Sequence, residues 1–369
     1  MNDVFKHYGI EHLSPSSINT YIKSPARWII RYLYKKQLPG SPAMWRGNVV
    51  DKAVGYYFGM MPNQKSKRSL TKVQTDALDQ FDYLRRDDKA NGFETDQDKF
   101  DKAADVLDQV INQGRYALFN DYKSLFFVAN ENNAETVFDV EYSGAEGGSY
   151  GCLICLEGNA APGFHGIRQY NGPVYGDGNS YNLPTQNLYD AFDATDVRRD
   201  ATCLDIDAFI AKQPNSGNIK YAKGAGGHTG FYNNKYIKRQ GEIGLPDNDL
   251  TSPVNYRVIR YADVLLMSAE AHARSNSPDY SKALGYLNQV RNRVNMPALS
   301  STGNQLIEDI WNERRLELSG EGHRFFDLVR TGKAADAISG FVVGKHELFP
   351  IPRVEIDLAG GTWKQNNNY

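Results

Sequence analysis

The stretch NYRVIRYADVLLMSAEAHAR at residues 255–274 carries the pattern from which the fold is predicted. Its apolar and small side chains recur at the i, i+3, i+4 and i+7 positions, which is the spacing of one helix face. Two similar patterns follow, SKALGYLNQVRNRV at residues 281–294 and LIEDIWNERRLELSGEGHRFFDLVR at residues 306–330. We therefore predict three consecutive helices within residues 255–330.

The first two predicted helices are joined by a short linker, SNSPD, at residues 275–279. Pro278 has a fixed φ, and Ser277 and Asp279 carry oxygens that can cap the second helix. A connection this short forces neighbouring helices to run antiparallel. The sequence thus predicts a helical hairpin of tetratricopeptide type.

A further amphipathic helix is predicted over residues 100–111, where Phe100, Leu107 and Val110 share one face. Gly114 follows it at a position where helices commonly end in left-handed backbone. Residues 136–142 are predicted to be extended.

These phrases, taken in order, resemble the SusD/RagB family. RYADVLLMSAEA, LNQVRNR, IWNERRLELSGEGHRFFDLVR and LFPIP are similar to its C-terminal half, and KAADVLDQVINQGRYALFNDYKSLF to its central segment. The resemblance covers about residues 96–369. It implies a mainly α fold built of tetratricopeptide-like helical hairpins with long irregular loop excursions.

The resemblance also implies a function. Members of the family are outer-membrane lipoproteins that capture an oligosaccharide or other nutrient. They deliver it to a SusC-type TonB-dependent transporter, with no catalysis, no cofactor and no nucleic acid involved. The net charge of −2 gives no overall signature of polyanion binding.

Residues 1–90 differ from the remainder, because they carry a basic excess while the rest of the chain is acidic. We predict two domains, a small helical segment at residues 1–90 and a nutrient-binding domain at residues 91–369 that lacks the family's usual N-terminal part. The opening phrases are similar to the start of phage and Cas4-like members of the PD-(D/E)XK nuclease superfamily. They comprise Ser14, Ser16 and Ile18, then Pro25 and Trp28, then Gly47 to Asp51. The chain is therefore interpreted as a chimera.

That second resemblance supplies an alternative function, a metal-dependent nuclease. Such an enzyme needs an Asp followed by a D/E-x-K motif, whose lysine helps to position the attacking water. Asp121-Tyr122-Lys123 fits the motif, and Asp51 is the candidate partner acid. The same residues also fit the SusD/RagB resemblance, so we rank the nuclease second and predict no catalytic or metal-binding residue.

The cysteines bear on redox and metal chemistry, and the N-terminus bears on cellular location. Cys152 and Cys155 form a C-x-x-C whose inner residues are Leu and Ile, which favours ordinary packing over redox or metal chemistry. The opening residues show neither a hydrophobic signal region nor a lipobox cysteine. We therefore expect the cell outer membrane from the resemblance, although the sequence shows no export signal.

Ligand contacts are expected from aromatic residues in loops, since tyrosine rings stack on the apolar faces of sugars. Residues 142–192 are rich in tyrosine, asparagine and glycine. The tyrosines that stand among glycines are the predicted ligand-binding residues: Tyr150, Tyr170, Tyr175 and Tyr181. The charged run containing Glu313, Arg314, Arg315 and Glu317 is instead predicted to form structural ion pairs.

Overall fold

Residues 96–144, 157–224, 227–242, 250–360 and 362–369 are described by a computed structural model of the chain. Within these ranges the helices are α1 Asp96–Asn112, α2 Ala161–His165, α3 Gln186–Tyr189, α4 Arg198–Thr202, α5 Ile206–Ala211, α6 Tyr261–Arg274, α7 Tyr280–Arg293, α8 Gly303–Glu317, α9 Arg324–Arg330, α10 Ala334–Ala337 and α11 Arg353–Leu358. The strands are β1 Thr136–Val140, β2 Cys203–Asp205, β3 Phe231–Asn233 and β4 Tyr256–Arg260. The prediction of a mainly α fold is confirmed. The predicted helical segment at residues 1–90 lies outside the described residues.

The hairpin of α6 and α7 forms the centre of the helical layer, as predicted. Asp279 accepts a hydrogen bond from the backbone N–H of Lys282 at 2.9 Å and so caps α7. The faces of α1, α7 and α8 surround α6, whose Leu265 and Leu266 are completely buried. Each buried leucine contributes about 1.5–3 kcal/mol to folding. None of the helices in the described ranges is long and apolar enough to span a membrane.

Helix α1 is fixed to the hairpin by the carboxylate of Asp108. It accepts hydrogen bonds from Tyr286 at 2.9 Å and Ser268 at 3.2 Å, and it contacts His272 and Lys282. Burial by itself would raise the pKa of Asp108, but these partners lower it. The position of α1 is thus set by polar contacts as well as by apolar packing.

The predicted helix over residues 255–274 was wrong at its start, because Tyr256–Arg260 is strand β4. This strand pairs antiparallel with β1, and Asp139 lies opposite Arg257 in the register. Aromatic and β-branched side chains favour a strand here, and β1 supplies the hydrogen-bonding partner. The extended conformation predicted for residues 136–142 is confirmed over Thr136–Val140.

The predicted helix over residues 306–330 is two helices, α8 and α9. Gly320 and Gly322 separate them with φ values of 81° and 90°, a conformation that other residues adopt at a cost. A Cβ on Gly320 would lie 2.7 Å from the side-chain oxygen of Asn233, so this turn also brings β3 close. The break lets the chain reverse at the end of α8. A similar glycine, Gly114 with φ 63°, follows α1 as predicted.

Candidate ligand-binding cleft

A cleft of about 380 Å³ is lined by residues 182–188 and by residues of α8, α9 and α10. Its polar wall includes Asn182, Asn187 and Arg315, and its apolar wall includes Phe325 and Leu328. This volume lies within the usual range of small-ligand sites, about 300–1,000 Å³. The mixture of amides, guanidinium and apolar surface suits a ligand that has both polar and apolar faces.

The wall at residues 182–188 is held in place by local and distant hydrogen bonds. Thr185 begins α3 by accepting a hydrogen bond from the N–H of Leu188 at 3.2 Å. Arg315 Nη2 donates to the Asn187 side-chain oxygen at 2.5 Å and to its carbonyl at 3.1 Å. Thr229 Oγ1 donates to the Pro184 carbonyl at 2.6 Å. The loop wall is therefore attached directly to α8.

Buried ion pairs join α4 and the segment before it to α8. Arg198 lies 2.7 Å from Asp196, 2.5 Å from Glu313 and 3.1 Å from Glu317, and these side chains are almost fully buried. Burial alone would raise the pKa of Glu317, but Arg293, Arg260 and Arg198 hold it well below its usual range. The loop-rich region is thus fixed to the helical layer by charge pairs inside the core.

A second group of buried charges joins β4 and the segment after β3 to the turn that follows α8. Arg260 Nη1 lies 2.9 Å from Glu317 Oε1 and also pairs with Glu135. Lys235 Nζ donates to Glu321 Oε1 at 2.6 Å and to the Glu317 carbonyl at 2.8 Å. The predicted structural role of Glu313, Arg314 and Glu317 is confirmed, with Arg314 lying 2.6 Å from Asp263.

The predicted ligand-binding tyrosines do not share one location. Tyr170 and Tyr175 belong to a buried cluster, with exposed fractions of 6% and 7%. Tyr170 donates its hydroxyl hydrogen to the Pro173 carbonyl at 2.8 Å, and its ring meets the edge of Tyr175 at a centroid distance of 6.3 Å. These two rings stabilise the loop from inside. Tyr150 lies outside the described residues.

Tyr181 is the exposed member of the set, with 57% of its surface accessible. Its ring centroid lies 6.1 Å from that of Phe164. The next residue, Asn182, lines the cleft, and its side-chain nitrogen lies 3.4 Å from His165 Nε2. Tyr181 therefore offers an exposed ring one residue away from the cleft wall, and the half-buried Phe164 lies beside it.

The nuclease alternative depended on Asp121 and Asp51. Asp121 lies on an exposed turn, where it accepts a hydrogen bond from Ser124 at 2.6 Å and from the Lys123 N–H at 3.2 Å. Tyr122 points inward and donates to the Glu317 carbonyl at 2.8 Å. In the part of the chain that the structure describes, no group of three or more His, Cys, Asp or Glu could hold a metal ion. Asp51, Cys152 and Cys155 lie outside it.

Sequence reasoning missed several residues of the cleft and placed Arg315 wrongly. Arg315 was grouped with the structural ion pairs, but its guanidinium faces the cleft and binds Asn187. Its neighbour Arg314 lies about 100° further back around the helix and takes the buried acids instead. Helical spacing could have separated the two arginines. Asn187, Arg324 and Phe325 carried no signal, because their cleft forms from distant segments.

Family and sequence comparisons agree with this architecture. The sequence profile described as the SusD family matches residues 134–348. SusD-like protein P2 of Formosa agariphila is 29% identical over 297 residues, 73% of this chain and 56% of that protein. A SusD-like protein of Bacteroides ovatus is 29% identical over 258 residues, 67% of this chain and 43% of that protein. The chain thus spans about half the length of these curated relatives.

Solved structures show the same fold. A laminarin-binding SusD-like protein is 30% identical with a TM-score of 0.65, covering 95% of this chain and 86% of that one. Surface glycan-binding protein A from Bacteroides thetaiotaomicron, in complex with laminarihexaose, is 27% identical with a TM-score of 0.64. That match covers 81% of this chain and 64% of the other.

Proposed function

Because the chain belongs to the SusD family, we propose that it binds an oligosaccharide and that the ligand occupies the cleft beside Tyr181. The observation that carries this proposal is the exposed ring of Tyr181, beside the half-buried Phe164 and one residue from a cleft walled by amide and guanidinium groups. The similarity to laminarin-binding and laminarihexaose-bound proteins supports the same class of ligand.

The geometry suits a sugar for physical reasons. A pyranose ring has an apolar C–H face that packs on an aromatic ring, while its hydroxyls require hydrogen-bond partners. Tyr181 provides the aromatic face, and Asn182 and Asn187 provide amide groups within the cleft wall. Phe325 and Leu328 add apolar surface on the opposite wall. The ligand would therefore be held by stacking at the entrance and by hydrogen bonds inside.

The same proposal extends to location and partner. We place the protein at the outer-membrane surface, where it hands the bound sugar to a SusC-type TonB-dependent transporter. Its role is binding rather than catalysis. Family membership supports each of these statements.

The test is direct binding by the purified full chain. Isothermal titration with laminarihexaose, alongside a glycan array that includes charged and neutral polysaccharides, should identify at least one ligand. Saturable binding that weakens when Tyr181 is replaced by alanine is the expected result. Failure of every glycan to bind, with the protein folded by circular dichroism, would overturn the proposal.

A further inference from the structure

Two arginines, Arg315 and Arg324, line the proposed sugar-binding cleft. Arg315 donates to the Asn187 side-chain oxygen and carbonyl, both of which are uncharged partners. Among the residues that the structure describes, no carboxylate forms a salt bridge with either guanidinium. Arg198, Arg260 and Arg314 are paired with acids in the core. Arg315 is half-buried and Arg324 is exposed, and together they give the cleft a positive charge.

One carboxylate that lies close to these guanidiniums, Asp327, is already engaged. Asp327 lies with Arg315 and Arg324 around the end of α8, but it pairs with Arg314 at 3.1 Å and with Arg330 at 2.7 Å. The pKa of Arg324 is lowered, mainly by burial and secondly by the positive charge of Arg315. The negative charge of Asp327 raises this pKa, but only enough to offset part of the lowering. Burial also lowers the pKa of Arg315. Each guanidinium would thus be stabilised by an additional anion in the cleft.

We propose, on the basis of the sugar-binding function inferred above, that the ligand is an anionic glycan whose carboxylate or sulfate group lies between Arg315 and Arg324. A guanidinium presents a planar fork of N–H donors that matches the oxygens of such groups. A lysine-lined or purely amide-lined cleft would lack that match.

The remaining cleft residues fit the rest of such a sugar. Phe325 and Leu328 lie beside Arg324 on α9, so an anionic group at the guanidiniums places the ring carbons against apolar surface. Asn182 and Asn187 lie on the other wall, within the reach of ring hydroxyls. Charge selects the class of sugar, and the amides and rings position it.

The experiment compares matched ligands on the full chain by isothermal titration at low ionic strength. One pair is tetragalacturonate and its fully methyl-esterified form; the other is a sulfated galactan tetrasaccharide and the same sugar after desulfation. We expect one acidic sugar to bind at least about tenfold more tightly than its neutral counterpart, since charge-assisted hydrogen bonds are about twice as strong as neutral ones. The pair that shows the preference distinguishes a carboxylate from a sulfate ligand.

Variants assign the preference to the cleft. Arg324→Gln and the double variant R315Q/R324Q should reduce it about tenfold or abolish it, whereas Arg115→Gln should retain it. Arg115 is an exposed arginine after α1 that does not line the cleft, so this control removes the same charge elsewhere. Arg315 contacts Asn187, so replacing it can disturb the cleft wall, and a thermal melt of each variant checks that the protein remains folded. Arg324 is exposed, so the single variant Arg324→Gln tests the charge preference without that risk.

The outcomes separate this inference from the proposed function. Equal affinity for the charged and neutral members of both pairs, or a preference unaffected in R315Q/R324Q, overturns the anionic ligand. Binding of laminarihexaose that depends on Tyr181 would then leave sugar capture standing. If no glycan binds at all, both proposals fail.

Discussion

Arg260 Nε lies 2.7 Å from Glu321 Oε2, and each side chain has an exposed fraction of 1%. The same guanidinium also pairs with Glu317 and Glu135. These contacts connect the residue before β1, the end of β4, the end of α8 and the turn after α8 inside the core. A buried charge of this kind is stabilising only while its partners are present.

Replacement of Arg260 by methionine is therefore expected to lower the free energy of unfolding by about 3–5 kcal/mol, because three acids lose a common partner. Lys333→Met is the matched control, since Lys333 forms a half-exposed pair with Glu308. Its effect should be within about 0–1 kcal/mol. Urea denaturation of both variants measures the difference. Equal effects would show that the buried network does not hold these elements together.

Acid is expected to weaken the fold through Glu321. Burial alone would raise its pKa, but Arg260 and Lys235 lower it from 4.5 to about 2. A carboxyl whose pKa is lower in the folded state contributes stability that is fully present above pH 4.5 and is lost as the pH falls towards 2. The loss amounts to about 3 kcal/mol. Glu317 acts in the same direction.

The measurement is the urea midpoint of the wild type and of Glu321→Gln, taken at neutral pH and again between pH 4.5 and 2. Wild type should lose stability on acidification, whereas Glu321→Gln should start lower and lose less, because it has no such carboxyl to protonate. Parallel losses in the two proteins would assign the acid sensitivity to other groups.

Close backbone contact makes Gly178 intolerant of a side chain. A Cβ there would lie 2.4 Å from the Cα of Gly166 and 2.5 Å from the Gly163 carbonyl oxygen. Gly178→Ala should thus destabilise the loop region by about 1–3 kcal/mol. Gly285→Ala, in the interior of α7 with open space around it, should instead stabilise by about 0.5–1 kcal/mol. Thermal melts of the two variants should shift in opposite directions.

Tyr181 is expected to affect ligand affinity rather than stability. Tyr181→Ala removes an exposed stacking surface and should weaken glycan binding by about 0.5–1.5 kcal/mol at little cost to the melting temperature. Tyr170→Phe removes a hydroxyl that donates to the Pro173 carbonyl inside the loop. It should lower the stability by about 1 kcal/mol and leave affinity unchanged. If Tyr170→Phe weakened binding more than Tyr181→Ala, the site would have to be placed elsewhere.

The sequence predicted the helical layer well, because helical periodicity, capping and glycine stops are local signals. The stripe in α6, the Asp279 cap of α7 and the Gly114 stop after α1 could all be read from neighbouring residues. Strand β4 was missed, since its conformation depends on a partner strand more than a hundred residues away in sequence.

For the candidate site, the sequence alone determined the family resemblance and the presence of tyrosines in irregular backbone. It could not decide which rings face solvent, because a loop has no periodicity that separates its inner and outer sides. Only the tertiary structure buried Tyr170 and Tyr175, exposed Tyr181 and brought Arg315 and Arg324 into one cleft. These positions follow from contacts between segments far apart in the chain, where packing and charge compensation, rather than local spacing, determine what each side chain meets.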